Sequence, residues 1–425
     1  MSNHYYITEI EVKNLWHQFS LKTTLKKDLN LFIGINGSGK TTLINIIKGV
    51  LKLDLPLLYN IDFDKVSIKL QNAQKHSKTI SLEKKEKYNF RFKVSNKTYE
   101  FHFNPEREYW LKYDKKFGFG NFYNNRNFEE LRERLRSIFS IRSISVYRQL
   151  DTESNMFFEE DEYNKKVKNP IDKKMEDLEQ KFIKYKGLIN LEINKISENF
   201  RKNVFREILT TESAGNITKT LTQMDNMGID EIKRALSNLG LSEKKDKSII
   251  ENFLNKQKNI NPNKKDKKAQ EEFLIFMFVV YNLDKIIKLS NDMESSKKIL
   301  EEPIDKFISI TNSFLKSSKF NKQIYVEHNS LKIKNKNSDI VELKALSSGE
   351  KQLLILLMET LLQKQDSTIY IIDEPELSLH VAWQRALVGS ILDLNPNIQL
   401  IIATHSPEIV ANYKPNIIRM ELIVK

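Results

Sequence analysis

The sequence contains no cysteine among its 425 residues, so a disulfide bond and a thiolate metal site are both excluded. The absence of cysteine fits a reducing compartment without proving one. The longest apolar run, Phe273–Val280, is far shorter than the roughly 20 residues that a membrane-spanning helix needs. The N-terminus also lacks the basic start and the apolar core of a signal peptide. We therefore expect a soluble, cytoplasmic protein without a membrane partner.

Acidic residues are outnumbered by basic ones, 56 to 69, which gives a formal net charge of +13. An excess of lysine attracts nucleic acid through the release of counterions. The alternative is a lysine-rich composition that only covers solvated surfaces, and no single long basic tract decides between the two. DNA is therefore a partner hypothesis that charge alone does not establish.

A phosphate-binding loop is the clearest motif, because residues 34–41 read GINGSGKT and match G-x-x-x-x-G-K-[ST]. The apolar run 29–33 predicts a strand before it, and residues 42–51 predict a helix after it. Backbone N–H groups of such a loop close around phosphates, and the helix N-terminus adds a favourable dipole. Lys40 would reach the β- and γ-phosphates, and the Thr41 hydroxyl would bind Mg²⁺. The candidate ATP-binding residues are Asn36, Gly37, Ser38, Gly39, Lys40, Thr41 and Thr42.

A pair of carboxylates follows a second apolar run, 369–372, which predicts a buried central strand. Ligands of parallel sheets bind beyond the carboxyl ends of the strands. Asp373 would bind Mg²⁺, directly or through water, and Glu374 would orient or deprotonate the attacking water. His405 follows the apolar strand 398–403 and could contact the γ-phosphate or that water. A lone histidine at a strand end is, however, usually structural.

Residues 346–352 read LSSGEKQ and precede an apolar helix. At the N-terminus of that helix, Ser348 and Gly349 would suit a γ-phosphate. Because the phosphate loop already holds the chain's own nucleotide, this second anion site would serve a neighbouring subunit. The segment therefore predicts a head-to-tail homo-oligomer. The ordinary interpretation is a serine cap, with Glu350 supporting the first turn.

The candidate magnesium ligands are Thr41, Asp373 and Gln149. Gln149 is included because it follows the predicted strand 141–147 and could contact the metal or its water. The histidines other than His405 show no spacing that is typical of a protein metal site.

Three segments differ in composition, and we expect them to form the domains 1–150, 151–320 and 321–425. Strand-like alternation dominates the first segment and returns in the third. Glycine is scarce in the second, where apolar residues three and four apart predict a long amphipathic helix of roughly 35–40 residues. Pro262 and Pro303 would separate the shorter helices. These are predicted at 228–239, 247–258, 268–290 and 300–317.

The ordered motifs resemble the ABC-type ATPase head of the SMC, RecF and Rad50 superfamily. The phosphate loop, Gln149, the 346–352 signature, the Asp373–Glu374 pair and His405 occur in the order that is typical of that superfamily. The resemblance implies an α/β head with a parallel core, interrupted by a mainly helical insert, and it implies ATP and Mg²⁺ as cofactors. The signature reads Ser-Ser-Gly where Ser-Gly-Gly is commoner.

Residues 373–380, DEPELSLH, resemble the branch of OLD-type and other anti-phage ATPases, although Val381 replaces the proline that is usual there. OLD-type nucleases carry a C-terminal Toprim domain, for which we expect no room after His405. The resemblance therefore favours stand-alone defence ATPases, such as the Septu subunit that works with a separate HNH nuclease. The ATPases of PARIS systems and of retrons are close competitors. The implied function is an ATP-hydrolysing subunit that regulates an effector, an HNH-type nuclease.

Two other functions are weighed against this one. A RecF-type repair or recombination ATPase would clamp DNA. A transporter subunit is disfavoured, because Lys40 and Ser348 lie 308 positions apart and transporters keep these motifs closer. No second acidic cluster or His-rich set with nuclease spacing occurs outside the ATP site. We therefore expect that the chain does not cut nucleic acid itself.

Overall fold

Strands dominate the two ends of the chain, and helices dominate its middle. The structure, a computed structural model, describes residues 4–86, 89–103, 126–145, 169–209, 229–240, 267–316, 321–364 and 366–425. The strands are β1 (Tyr5–Leu15), β2 (Phe19–Thr24), β3 (Leu29–Ile33), β4 (Lys65–Asn72), β5 (Ser77–Glu86), β6 (Asn89–Val94), β7 (Lys97–His102), β8 (Ser140–Ser145), β9 (Gln323–Glu327), β10 (Ser330–Lys334), β11 (Ile340–Val341), β12 (Thr368–Asp373), β13 (Gln399–Ala403) and β14 (Ile417–Arg419). The α-helices are α1 (Lys40–Lys52), α2 (Leu55–Tyr59), α3 (Arg126–Ile138), α4 (Pro170–Leu209), α5 (Ile229–Asn238), α6 (Lys267–Lys316), α7 (Ser348–Leu361), α8 (Val381–Leu394), α9 (Pro407–Val410) and α10 (Met420–Ile423). Short 3₁₀ helices cover Leu343–Ala345 and Lys414–Asn416.

A five-stranded parallel sheet, in the order β14-β3-β13-β12-β8, forms the centre of the head. Every residue of β12 and of β13 is buried. Burial on both faces explains why these strands are continuous apolar runs and not alternating ones. Asp373 lies opposite Ala403 and Ser145, and Ala403 lies opposite Phe32. The segments that follow β3, β12 and β13 therefore begin at the same edge of the sheet.

A six-stranded antiparallel sheet, in the order β2-β1-β4-β5-β6-β7, shares one hydrophobic core with α1. In its strands β4 and β6, buried residues alternate with more exposed ones, as the sequence pattern predicts. Strand β6 ends at Val94 and β7 begins at Lys97, and these two residues are paired. A two-residue turn therefore joins the strands, and Ser95 in this turn has a left-handed φ of 53°.

The described residues divide into two compact units, 1–182 with 306–425, and 183–305. The second unit contains a helical core that includes Phe200, Val204, Ile232 and Leu283. The 40-residue helix α4 confirms the long amphipathic helix, and α5 confirms the predicted helix at 228–239. The structure thus confirms the α/β class with a parallel core and a helical insert. No helix of the described ranges is long and apolar enough to cross a bilayer.

The prediction of a helix break at Pro303 is wrong, because α6 runs for 50 residues with this proline inside it. Proline removes one backbone donor and crowds the preceding turn. Burial compensates for this loss, since the neighbouring Ile304 and Phe307 are 2% and 0% exposed. The Phe307 ring also lies 6.3 Å from the Phe182 ring. Tertiary packing therefore overrides the local signal.

Several predictions fall outside the described residues. These are the helix at 247–258, Pro262 and Gln149. The predicted domain boundaries near residues 150 and 320 also lie at or beside such residues, so they stay predictions.

Candidate functional site

The phosphate-binding loop connects β3 to α1, as the sequence predicts. Gly37 and Gly39 adopt φ values of 82° and 90°, a left-handed conformation that residues with a side chain rarely take. The Lys40 side chain turns back into the loop, where Nζ donates to the carbonyl oxygens of Gly34 at 2.9 Å and of Ile35 at 3.1 Å. The loop is therefore closed around a buried ammonium group.

The negative charges of carboxylates from separate segments act on this ammonium group. Burial is the largest influence on the pKa of Lys40 and lowers it below its usual value. The charges of Glu374, Glu421 and Asp373 oppose this shift by favouring the cation. Several carboxylates that act on one buried cation are typical of a functional site.

Thr41 and Asp373 meet across the sheet edge, because the Thr41 hydroxyl donates to Asp373 Oδ1 at 3.4 Å. Burial raises the pKa of Asp373 above its usual value, while the charge of Lys48 lowers it. The hydroxyl and the carboxylate are oxygen donors of the kind that Mg²⁺ prefers. Within the described ranges no group of three His, Cys, Asp or Glu could hold a metal. This donor set fits Mg²⁺ that takes its other ligands from phosphate and water.

Glu374 begins the turn that follows β12 and has a left-handed φ of 50°. Its N–H donates to the Ala403 carbonyl at 2.8 Å, which joins the ends of two strands. The Nε2 atom of His405 lies 3.8 Å from Glu374 Oε1, and both side chains are about one-third exposed. The structure thus brings together the two residues that were predicted to be catalytic, beside Asp373 and the loop.

Glu376 is a neighbour of this pair to which sequence reasoning assigned no role. Its Oε1 atom accepts the backbone N–H of His405 at 2.7 Å. Its Oε2 atom is buried and has no hydrogen-bond partner among the described residues. The sequence signal that could have identified Glu376 is its position in the run 373–376, DEPE. Glu376 therefore positions the backbone that carries His405.

The start of α7 bears on the two interpretations of the signature, a serine helix cap and an anion site. Ser347 is the N-cap: its hydroxyl accepts from Glu350 N at 3.3 Å, and its own N–H donates to Glu350 Oε2 at 2.8 Å. Lys322 Nζ donates to both oxygens of Glu350 at 3.0 and 2.8 Å. Ser348 is the first residue of the helix and is exposed. The helix cap therefore uses Ser347, whereas the predicted anion site concerns Ser348.

Gly349 is required by a contact within the chain. A Cβ atom at this position would lie 2.3 Å from the carbonyl oxygen of Ser378, which is far inside van der Waals distance. Ser378 belongs to the segment after β12. The signature helix is therefore packed against the turn that carries Glu374.

Two further residues of the site could not be found from motifs. Glu421 Oε1 accepts the N–H of Ile35 in the phosphate loop at 3.0 Å. The Trp16 ring lies against Gly39, where a Cβ would meet it at 3.2 Å. Both residues come from parts of the chain that are distant from the loop they contact, so no local pattern marks them.

The fold and the site define a phosphate-loop protein with an α/β head. A family described as "AAA domain, putative AbiEii toxin, Type IV TA system" (AAA_21) matches residues 29–411, and the chain belongs to this family.

Curated relatives match smaller parts of the chain. The retron Ec83 probable ATPase of Escherichia coli is 30% identical over 142 residues, which cover 29% of this chain and 26% of that protein. The retron Vc95 probable ATPase of Vibrio cholerae serotype O1 biovar El Tor is 28% identical over 194 residues, which cover 43% of this chain and 31% of that protein. The chain thus matches only a quarter to a third of the length of these relatives.

Solved structures of SMC head domains match this chain at low similarity. The Pyrococcus furiosus Smc head domain with an extended coiled coil, bound to the C-terminal domain of ScpA, has a TM-score of 0.46 and 15% identity, and covers 96% of this chain and 92% of that chain. The SMC head domain from Thermotoga maritima has a TM-score of 0.41 and 11% identity, and the match covers 96% of this chain and 91% of that chain. No conclusion about function rests on these scores.

The family match and the relatives confirm the predicted resemblance to defence-associated ATPases of the AAA type. Retron ATPases, one of the predicted competitors, are among the relatives. The roles of individual site residues stay predictions.

Proposed function

We propose that this chain is the ATP-binding and ATP-hydrolysing regulatory subunit of an anti-phage defence complex. The observation that carries the proposal is the meeting of two motifs at one sheet edge. Thr41 of the loop donates to Asp373, and Glu374 beside it faces His405. The family and the retron ATPase relatives support the defence context.

Each group of the site has a role in this proposal. The backbone N–H groups of the loop and the Lys40 ammonium bind the phosphates of ATP. Thr41 and Asp373 would hold Mg²⁺, which neutralises charge on the phosphates when it is bound. Glu374 takes a proton from the attacking water, and His405 orients that water or the γ-phosphate.

The proposed assembly is a head-to-tail homodimer or a larger oligomer. The support is the exposed Ser348 at the start of α7. Its own chain's cap is already formed by Ser347, so the Ser348 hydroxyl is available to the nucleotide of a neighbour. In this proposal the ATP-bound assembly controls a separate effector, an HNH-type nuclease. The net charge of +13 supports DNA as an additional ligand.

Two substitutions separate binding from turnover. Lys40→Ala should weaken ATP binding, because the phosphates lose a charge-assisted partner. Glu374→Gln should keep binding and lower turnover by about 10²-fold or more, because a carboxamide cannot act as a base. Binding is measured with a fluorescent ATP analogue, and turnover is measured as phosphate release. Glu327→Gln, on the exposed side of β9, is the matched control and should change neither.

Unchanged ATP hydrolysis in the Glu374→Gln protein would contradict the assignment. The regulatory role needs a second assay. The purified chain is incubated with DNA or RNA, with ATP, ADP or no nucleotide, alone and with the product of its neighbouring gene. Nucleotide-dependent cleavage only with the partner would support the proposal. Cleavage by this chain alone, abolished by a substitution outside the ATP site, would overturn it.

A further inference from the structure

A groove of about 240 Å³ lies beside the three-stranded sheet β11-β10-β9, and none of its lining residues belongs to the proposed ATP site. One wall is the start of α4, with Asp172, Glu176 and Glu179. The other wall is β11 and the residues after it, including Ile340 and Glu342. We call this feature the acidic groove. It combines apolar surface, carboxylates and the edge of a sheet.

The edge strand of the acidic groove is open. β11 pairs with β10 on one side, and no strand of the described ranges pairs with its other side. Ile340 of β11 is 69% exposed. The opposite edge of the same sheet is covered, because Ile324 N donates to Asn312 Oδ1 at 2.7 Å and Asn312 Nδ2 donates to Ile324 O at 3.0 Å. An uncovered edge with an exposed apolar side chain accepts an added strand.

The charge of the groove indicates which side chains an added strand would have. Asp172 already pairs with Lys351 at 2.7 Å, and Glu176 pairs with Lys344 at 3.2 Å. Within the described ranges, Glu179 and Glu342 take part in no ion pair, and Lys332 is the lining cation that is left to offset them. The residual charge of the groove is therefore negative, in a chain of net charge +13. A basic segment is therefore attracted to this groove.

The acidic groove is connected to the signature helix. Lys351, which pairs with Asp172, is the fourth residue of α7, and Ser348 is its first residue. Lys344, which pairs with Glu176, lies in the 3₁₀ helix just before α7. An occupant of the groove therefore lies next to the helix that is proposed to face a neighbour's nucleotide.

We propose that the acidic groove binds an extended, basic segment of the effector protein, which adds a strand to β11. Lysine or arginine side chains of that segment lie against Glu179 and Glu342, and its apolar side chains cover Ile340. The identity of the partner as the effector rests on the proposed function, whereas the chemistry of the groove does not.

The test uses the full chain and a labelled hexapeptide that alternates lysine and valine, with both ends blocked. Binding is followed by fluorescence anisotropy. A second peptide carries glutamate in place of lysine, and a third carries a central proline, which cannot pair as a strand. We expect the basic peptide to bind saturably. Each control peptide should bind more weakly, by a factor of about ten or more. Added salt should weaken the binding.

Variants assign the binding to the groove. Glu342→Lys and Ile340→Asp should each weaken binding of the basic peptide by about tenfold, through lost charge attraction and lost apolar contact. Glu327→Lys on β9 makes the same charge change at the covered edge and should leave binding unchanged. Equal binding of the three peptides, or no effect of Glu342→Lys and Ile340→Asp, would overturn the proposal.

Two further measurements in the same preparations keep the outcomes apart. Self-association that disappears in the Ile340→Asp protein would identify a second copy as the occupant and would also overturn the proposal. Phosphate release is measured for every variant. Peptide binding without ATP hydrolysis would reject the proposed ATPase function but would still support the peptide-binding groove. ATP hydrolysis without peptide binding would support the ATPase function and reject the peptide-binding groove.

Discussion

The turn after β12 contains two uncommon backbone conformations. Glu374 and Ser378 have φ values of 50° and 66°, although neither is glycine. Such conformations are costly and persist where the surroundings hold them. Here the N–H of Glu374 is held by the Ala403 carbonyl, and the carbonyl of Ser378 is packed against Gly349. At the residue scale, the position of the proposed base is thus set by backbone contacts.

Alanine at Gly349 should destabilise the protein. Alanine normally stabilises a helix interior relative to glycine by about 0.5–1 kcal/mol. At Gly349 the added Cβ would lie 2.3 Å from the carbonyl oxygen of Ser378, so a net loss of about 1–3 kcal/mol is expected from overpacking. Gly187→Ala is the matched control, because Gly187 is inside α4 and nothing lies within 4 Å of its added Cβ. Chemical denaturation measures both free energies of unfolding, and equal effects would refute the contact.

Helix α6 shows at the element scale how packing overrides local preference. Its single proline, Pro303, would end most helices, yet the helix continues to Lys316. The buried side chains on both sides of this position, Ile304 and Met293, keep the helix in place. The stability that is lost at the proline is offset by this burial.

Alanine at Pro303 should therefore stabilise the protein, by up to about 3 kcal/mol, because a backbone donor is restored and a steric clash is removed. Pro170→Ala is the control. Pro170 is the first residue of α4, where a backbone N–H has no partner in the helix, so the change should stay within about 0.5 kcal/mol. Thermal unfolding followed by circular dichroism gives both values. A lower melting temperature for Pro303→Ala would contradict this account.

At the scale of the whole molecule, the two halves of the proposed ATP site come from opposite ends of the chain. The phosphate loop lies between β3 and α1, and Asp373 and Glu374 follow β12. The order β3-β13-β12 in the parallel sheet brings them together. In the proposed oligomer a third part of the site comes from another subunit, because Ser348 of one subunit would complete the site of its neighbour.

Mixed oligomers test the composite sites. Lys40→Ala and Ser348→Arg should each abolish most ATP hydrolysis when they are present in every subunit. In a dimer of one Lys40→Ala and one Ser348→Arg subunit, one site receives both substitutions and the other receives neither. Each mixed dimer should therefore regain about half of its activity, since one of its sites is intact. Absence of recovery, with mixed dimers shown to form by tagged co-purification, would argue against composite sites.

The local features of this protein were decided by the sequence alone. The phosphate loop with its strand and helix, the buried run before Asp373 and the long helix α4 are contiguous in the chain. Their signals are short-range: glycine where φ is positive, apolar runs in buried strands, and a 3.6-residue period in a helix. These features could be predicted because neighbouring residues carry all of the information.

The remaining features were decided by tertiary structure. Glu421 contacts Ile35, Gly349 contacts Ser378, and Glu376 holds the backbone of His405. The break predicted at Pro303 failed for the same reason, because burial of the neighbouring side chains against other segments outweighs a local preference. Such contacts depend on which strands become neighbours in the sheet, and that order is a property of the folded chain and not of any segment within it.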